Sequence, residues 1–267
     1  MNSKAFHRIL PIACLVWIGC GRPEQGDTRI IGHGGLGANG EHPMDTREAL
    51  LGGLALGLDG VELDVQLTAD GVLVACHPED LADISSCSGH VNAITWAALA
   101  ACPNDKDGSG SYPIVRLDAL LLEAVAKYPK AEFTFDCKLF AAEEWWPYLH
   151  AFTNALAALD STPALHGRFL IECQVDDFLR LARTKLPDAE IYLYGSGKTE
   201  DLERALALSC TGVTVNYSQV DLEFVESARA AGLDVTLFGT TGKRGHRKAL
   251  AMLPDRLQTD APEEFAR

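Results

Sequence analysis

From residue 28 onward, short runs rich in β-branched and other apolar residues alternate with longer stretches in which apolar positions recur at helical spacing. The runs cover 29–33, 61–67, 133–138, 169–174, 190–194, 212–216, 234–238 and 256–259. Between them lie amphipathic segments such as 120–127, 177–185, 199–208 and 222–231. Strands that alternate with helices build a parallel sheet, because each parallel connection needs a long crossover. Eight such units predict closure into a (β/α)8 barrel of the TIM type. The second unit carries an extra return. Thr68-Ala69-Asp70-Gly71 is a turn signal leading into 72–76, which predicts a small hairpin insertion folded back beside the second strand. Before the first helix, Asp45 followed by Glu48 three positions on has the spacing of a capping box, with Asp45 as the expected cap. The Gly-, Ser- and Asp-rich stretch 104–111 marks an exposed loop within one domain, 28–267.

Candidate chemistry appears when the alternation is followed inside the strands. In Gly60-Val61-Glu62-Leu63-Asp64-Val65-Gln66-Leu67, the aliphatic residues share one face while Glu62, Asp64 and Gln66 share the other. The aliphatic face meets the helices of a barrel, which places both carboxylates inside. Buried carboxylates demand a proton or a cation, and converging oxygen ligands suit Mg²⁺ or Ca²⁺. Phe133, Phe135 and Cys137 likewise face outward while Thr134, Asp136 and Lys138 face inward, so Asp136 supplies a third carboxylate. Lys138 is placed to balance the carboxylates or to meet a substrate phosphate. The bland alternative is a buried salt-bridge cluster without a metal. His33 closes the first strand beside Gly34 and Gly35, and His77 closes the hairpin return; both fall at strand ends, where barrel enzymes keep their chemistry. Either histidine alone reads as a packing residue. With three inward carboxylates they read as a general acid/base pair. Glu172 shares inward parity with Gln174, Asp260 reads as a cap for 263–265 in preference to a phosphate-side contact, and Trp145-Trp146 opens a helix on the barrel exterior.

These residues carry a resemblance. The His-Gly-Gly start, the Glu-x-Asp-Val-Gln-Leu-Thr-x-Asp-Gly run, the histidine after it, the later Asp-x-Lys pair and the closing Leu257-Gln258-Thr259-Asp260-Ala261-Pro262 resemble the glycerophosphodiester phosphodiesterase family over roughly residues 28 to 266. The resemblance implies a TIM barrel, metal ligands Glu62, Asp64 and Asp136, and His33 and His77 as catalytic acid and base. It also implies hydrolysis of glycerophosphodiesters to glycerol 3-phosphate and an alcohol. Departures from the family pattern are Gly34 in place of arginine, Met44-Asp45-Thr46 in place of Glu-Asn-Thr, Asp136 in place of glutamate, and Pro78 after the histidine in place of aspartate. An aspartate as third ligand is similar to the sphingomyelinase D branch of the wider superfamily. The departures therefore bear on the alcohol half of the substrate. A phospholipase or sphingomyelinase D-like phosphodiesterase, and a non-catalytic binding lipoprotein on the same barrel, are the alternatives.

Composition narrows the partners. With 267 residues, 47% hydrophobic and 22% charged, the chain suits one well-buried domain. A net charge of -14 argues against nucleic acid, whose phosphates are met by Lys and Arg, but leaves room for a small phosphodiester or lipid-derived substrate reached through a cation. Residues 1–20 read as a signal peptide, with Lys4 and Arg8 before a short apolar run. The run ends at Trp17-Ile18-Gly19-Cys20, similar to a bacterial lipobox with Cys20 as the lipidated residue; ordinary signal-peptidase cleavage and a buried N-terminal helix are the alternatives. Residues 21–27 read as a linker. The expectation is an exported periplasmic or cell-surface lipoprotein, touching membrane only through its lipid anchor. Six of the eight cysteines then remain once Cys14 and Cys20 are set aside. Cys76, Cys137 and Cys173 sit in apolar strands as small core residues. Cys87 and Cys102 share one polar stretch, where either a disulfide or two free thiols fit.

Overall fold

The computed structural model describes residues 28–106, 108, 110–140 and 144–267. The signal peptide, the linker and Cys20 lie outside the described residues. Within them run ten strands: β1 (Arg29–Gly32), β2 (Gly60–Leu67), β3 (Leu73–Ala75), β4 (Val115–Arg116), β5 (Glu132–Cys137), β6 (Phe169–Cys173), β7 (Glu190–Tyr194), β8 (Gly212–Asn216), β9 (Asp234–Thr240) and β10 (Arg256–Thr259). Eight of them are parallel, in the order β1-β2-β5-β6-β7-β8-β9-β10. The last pairs back onto β1, so these eight strands close into a barrel. The helices are α1 (Arg47–Ala55), α2 (Trp96–Leu99), α3 (Leu117–Lys127), α4 (Trp145–Asp160), α5 (Asp176–Lys185), α6 (Thr199–Ala207), α7 (Leu222–Ala230) and α8 (Lys243–Leu250). This is the (β/α)8 barrel that the alternation predicts. No helix among the described residues is long and apolar enough to cross a membrane.

The alternation within strands divides the molecule into two interiors. Val61, Leu63, Val65 and Leu67 of β2 and Phe133, Phe135 and Cys137 of β5 join the continuous apolar layer between barrel and helices. Phe135 is fully buried and stacks on Phe169 with ring centroids 4.5 Å apart. Truncating it to alanine would cost about 3–5 kcal/mol, the usual loss for a buried phenylalanine. Inside the barrel the buried residues include Glu62, Asp64, Gln66, Thr134, Glu172, Thr214, Thr236 and Gln258, with Ile31, Leu170 and Tyr192 among them. An apolar shell thus holds a charged lining in place.

The return after β2 is larger than the predicted hairpin. β3 runs antiparallel to β2, with Val65 opposite Ala75, and β4 adds a further antiparallel strand. The described residues between β3 and β4 pack as a cap with its own small core, which includes Leu81, Val91, Leu99 and Ile114. A Cys87–Cys102 disulfide ties this cap together. Cys76, Cys137, Cys173 and Cys210 are buried free thiols.

The start of α1 corrects the expected cap. Thr46, not Asp45, is the N-cap, and its hydroxyl accepts from the Ala49 N–H at 3.2 Å. Asp45 sits at φ 64°, in the left-handed region that Asp and Asn tolerate better than most residues. That conformation turns its side chain into the barrel, where the carboxylate accepts from the Asp64 N–H at 2.9 Å.

Candidate metal centre and active site

β2 and β5 lie side by side in register, with Asp64 opposite Asp136 and Glu62 opposite Thr134. Parallel neighbours are about 4.8 Å apart, so side chains on the same face converge. Glu62, Asp64 and Asp136 each bring one carboxylate oxygen to within 4.8 Å of the others, and form the one such acidic group found among the described residues. Glu62 and Asp64 are each only 1% exposed. The Glu62 Oε2 accepts from the Gly34 N–H at 2.9 Å. The Lys138 Nζ lies 2.6 Å from Asp136 Oδ2 and 3.0 Å from Asp64 Oδ1.

One ammonium does not neutralise three buried carboxylates. Burial, then the neighbouring charges of Asp64 and Asp136, hold the Glu62 carboxyl well above its ordinary range. Burial also raises Asp136, outweighing the pull of Lys138. The Oδ2 of Asp64 is buried without any hydrogen-bond donor. An all-oxygen donor set, a deficit of positive charge and an orphaned oxygen together fit a hard divalent cation.

His33 follows β1 and stands over the cluster. Its Nε2 is 3.8 Å from Glu62 Oε2, and its Nδ1 is 2.7 Å from Asp260 Oδ1. Burial works against a charged imidazole here. The Asp260 hydrogen bond and the charges of Asp260, Asp64 and Asp45 more than offset it, so the His33 pKa is raised. Asp260 does not cap the closing 3₁₀ turn: Ala261 occupies the cap position and Asp260 holds His33. An imidazole whose Nδ1 is engaged this way presents Nε2 to the site.

His77 follows β3 and is exposed on the wall of a cavity of about 790 Å³ that His33 and Asp45 also line. Its place is fixed through the backbone. The Gln66 Nε2 donates to the carbonyls of Cys76 at 2.7 Å and Pro78 at 2.8 Å, gripping the chain on both sides of His77. Met44, Pro78, Ile84, Ile114 and Phe140 give the same wall an apolar stretch, and Lys106 and Glu79 a charged one.

Two departures from the family pattern turn out to touch. Gly34 has φ 52°, and a Cβ built on it would lie 2.5 Å from the Met44 Cβ. No side chain fits at 34 while Met44 is where it is. Glu172, whose inward parity alone was legible, is buried in the barrel centre, where it accepts from Thr214 Oγ1 at 2.6 Å. Burial and then Asp136 push its pKa up to about 7. Gln174 is exposed.

Comparison with known proteins agrees with this arrangement. The model of the glycerophosphoryl diester phosphodiesterase family matches residues 36–264. A glycerophosphodiester phosphodiesterase from Caldanaerobacter subterraneus subsp. tengcongensis is 41% identical over 237 residues, 88% of this chain and 95% of the relative. Shorter matches, to a protein from Bacillus subtilis named uncharacterized protein YqiK (45% identical over 83 residues, 30% of this chain) and a Bacillus altitudinis glycerophosphodiester phosphodiesterase (40% over 72 residues, 27%), span 33% and 29% of those relatives. Among solved structures, a phosphodiesterase from Oleispira antarctica in complex with the product sn-glycerol-3-phosphate has a TM-score of 0.77 at 20% identity, covering 89% of this chain and 94% of that one. A glycerophosphodiester phosphodiesterase from Parabacteroides distasonis has a TM-score of 0.73 at 20% identity, with coverage of 89% and 94%. Barrel, inward acidic strands and family model agree: the chain belongs to the glycerophosphoryl diester phosphodiesterase family.

Proposed function

We propose that the protein hydrolyses glycerophosphodiesters to glycerol 3-phosphate and an alcohol, with Glu62, Asp64 and Asp136 holding a divalent cation and His33 and His77 exchanging the protons. The observation that carries this reading is that three carboxylates from two strands converge beneath a cavity whose wall bears both imidazoles. Family membership and the 41% identical relative named as a glycerophosphodiester phosphodiesterase support the substrate class.

A bound Mg²⁺ or Ca²⁺ supplies Lewis-acid stabilisation of the charge that builds on the phosphoryl oxygens. The chain does the rest. Lys138 offers its ammonium both to the carboxylates and to a non-bridging phosphate oxygen. One histidine accepts the proton of the attacking oxygen, from water or from the adjacent glycerol hydroxyl, as the new P–O bond forms. The other gives its proton to the departing alkoxide as the ester P–O bond breaks; where the glycerol hydroxyl attacks, this leaves a cyclic phosphodiester, which water then opens to glycerol 3-phosphate with the two histidines in exchanged roles. Asp260 keeps His33 in the tautomer and orientation that this exchange needs, and Gln66 fixes the backbone carrying His77. Export and lipidation at Cys20 remain part of the proposal; radiolabelled palmitate incorporation, lost in Cys20→Ala, tests them.

The deciding experiment is an assay of EDTA-stripped protein resupplied with Mg²⁺, Ca²⁺ or Mn²⁺ over glycerophosphocholine, glycerophosphoethanolamine, lysophosphatidylcholine and sphingomyelin. His33→Ala and His77→Ala should each lower kcat by about 10² to 10⁴. Wild-type rates in both variants, or turnover indifferent to metal, reject the mechanism. Turnover of the lysolipid or sphingomyelin alone reassigns the substrate, and binding without turnover makes the barrel a receptor.

A further inference from the structure

The residue left over by this account is Asp45. It neither caps α1 nor belongs to the converging triad, yet it is 6% exposed, in a strained backbone conformation, against the most acidic part of the molecule. Its Oδ1 accepts from the Asp64 N–H at 2.9 Å. Its Oδ2 is buried and has no donor. The only other buried side-chain oxygen among the described residues with no partner is Oδ2 of Asp64, the residue whose backbone Asp45 holds. Two such oxygens on carboxyl groups that meet in space are costly unless a shared proton or a cation sits between them, and burial beside Asp64 raises the Asp45 carboxyl well above its ordinary range. Chance misfit would scatter such atoms. Their pairing at one point marks a place where positive charge belongs.

We propose that Asp45 is a fourth carboxylate of the metal centre, which holds Asp64 through its backbone N–H and adds its own charge to the field that retains the cation. The inference rests on the metal reading of Glu62, Asp64 and Asp136. Asp45 reaches Asp64 through its backbone N–H, while the Lys138 ammonium is committed to the Asp64 Oδ1 and to Asp136. Ligand charge count is a main lever on the affinity of oxygen sites for divalent ions. The molecule therefore holds the cation more tightly than the triad alone would, at the expense of the metal-free state.

That opposition gives a test independent of turnover. Asp45→Asn keeps the shape, tolerates the positive φ and retains an oxygen to accept from the Asp64 N–H. It removes one charge and places an N–H₂ donor beside the Asp64 Oδ2. Calorimetric titration of the EDTA-stripped full chain with Ca²⁺ and with Mn²⁺ should show Kd raised at least fivefold in D45N. The melting temperature of D45N in EDTA should rise above wild type, because both orphaned positions are relieved. A side chain that merely props up the turn would give the reverse: a lower melting temperature and an unchanged Kd. A Kd rise below fivefold, or a fall in the EDTA melting temperature, overturns the proposal. Should D45N fail to fold, Asp45→Gly keeps the positive φ without the carboxylate, and the same fivefold criterion on its Kd decides. If wild type itself binds neither ion, the metal reading falls and takes this one with it; if wild type binds and D45N matches it, Asp45 alone is misassigned.

Discussion

Replacing Lys138 by methionine should have opposite effects on the metal-free and metal-loaded protein. The ammonium touches Asp136 and Asp64 at 2.6 and 3.0 Å, with about a quarter of the side chain (24%) reaching solvent. Burial works against its charge, yet the two aspartates hold its pKa well above the ordinary lysine value, so it is fully charged near neutral pH. Breaking a buried ion pair by deleting one partner costs about 3–5 kcal/mol. Partial exposure screens this one, which brings the loss nearer to about 2–3 kcal/mol. For a domain of this length that corresponds to a fall in Tm of roughly 5–10 °C in EDTA. A saturating divalent cation should erase more than half of that fall, because it supplies the missing charge at the same oxygens. Its Kd should tighten, since no ammonium competes. Thermal melts of Lys138→Met in EDTA and in excess Ca²⁺, together with calorimetric titration, read both quantities. An equal fall in Tm with and without cation, or an unchanged Kd, would refute the placement of the cation among these carboxylates.

Asp260→Ala should lower kcat by about 10² through loss of His33 orientation, with KM little changed, and the His33 imidazole should titrate at lower pH by NMR, because Asp260 is the chief group raising it; an unmoved titration would show that Asp260 does not hold the ring. Glu172 has a folded pKa of about 7 against an ordinary 4.5. The folded state therefore binds more protons than the unfolded state between those values, and metal-free stability falls as pH rises through that window by about 3 kcal/mol. Glu172→Gln should flatten that slope in urea titrations at pH values from about 4.5 to 8; an unchanged slope would show that Glu172 is not its source. Reducing Cys87–Cys102 frees a loop of 15 residues, a loss of about 3 kcal/mol in the chain-entropy view. Faster amide exchange should be confined to the cap, residues 76–114, and equal acceleration in β6–β10 would show that the cap and barrel unfold as one.

The barrel was legible because its strands announce themselves twice, once as apolar runs and again through the alternation that puts Glu62, Asp64 and Asp136 on one face. What stayed hidden follows from weak or misleading local signals. β4 has only two residues, and α8 buries only His246 and Ala249, so neither carries a readable period. Asp45 and Asp260 each sit before a helical turn, where a local rule assigns a cap, and in both cases a tertiary partner won: the Asp64 N–H for one, His33 for the other. Gln66 lay on the inward face as expected, but its grip on the carbonyls around His77 depends on how the return packs, which no spacing reveals. Short polar side chains near turns can satisfy a neighbour or a distant strand, and only the fold decides which.

At the mouth, too, tertiary contact changes what the altered motif means. Read along the chain, Gly34 and Met44 are two separate losses of charge. In space they touch: a Cβ at 34 would lie 2.5 Å from the Met44 Cβ and 2.6 Å from its Cγ and Cε, so the backbone here, and not methionine alone, keeps a side chain out of 34. Gly34 keeps its backbone duty, donating its N–H to Glu62 Oε2, so the metal side of the site is undisturbed while the cavity side has become less polar. Among the described residues that line the cavity Lys106 is the one lysine or arginine, while Lys138 stands at the carboxylates. Restoring arginine at 34 alone would force Met44 aside and strain a residue at φ 52°, and so would test packing before it tested phosphate binding. Arginine at 34 needs the backbone around 34 and 44 to move whichever residue stands at 44, because the clash begins at the Met44 Cβ.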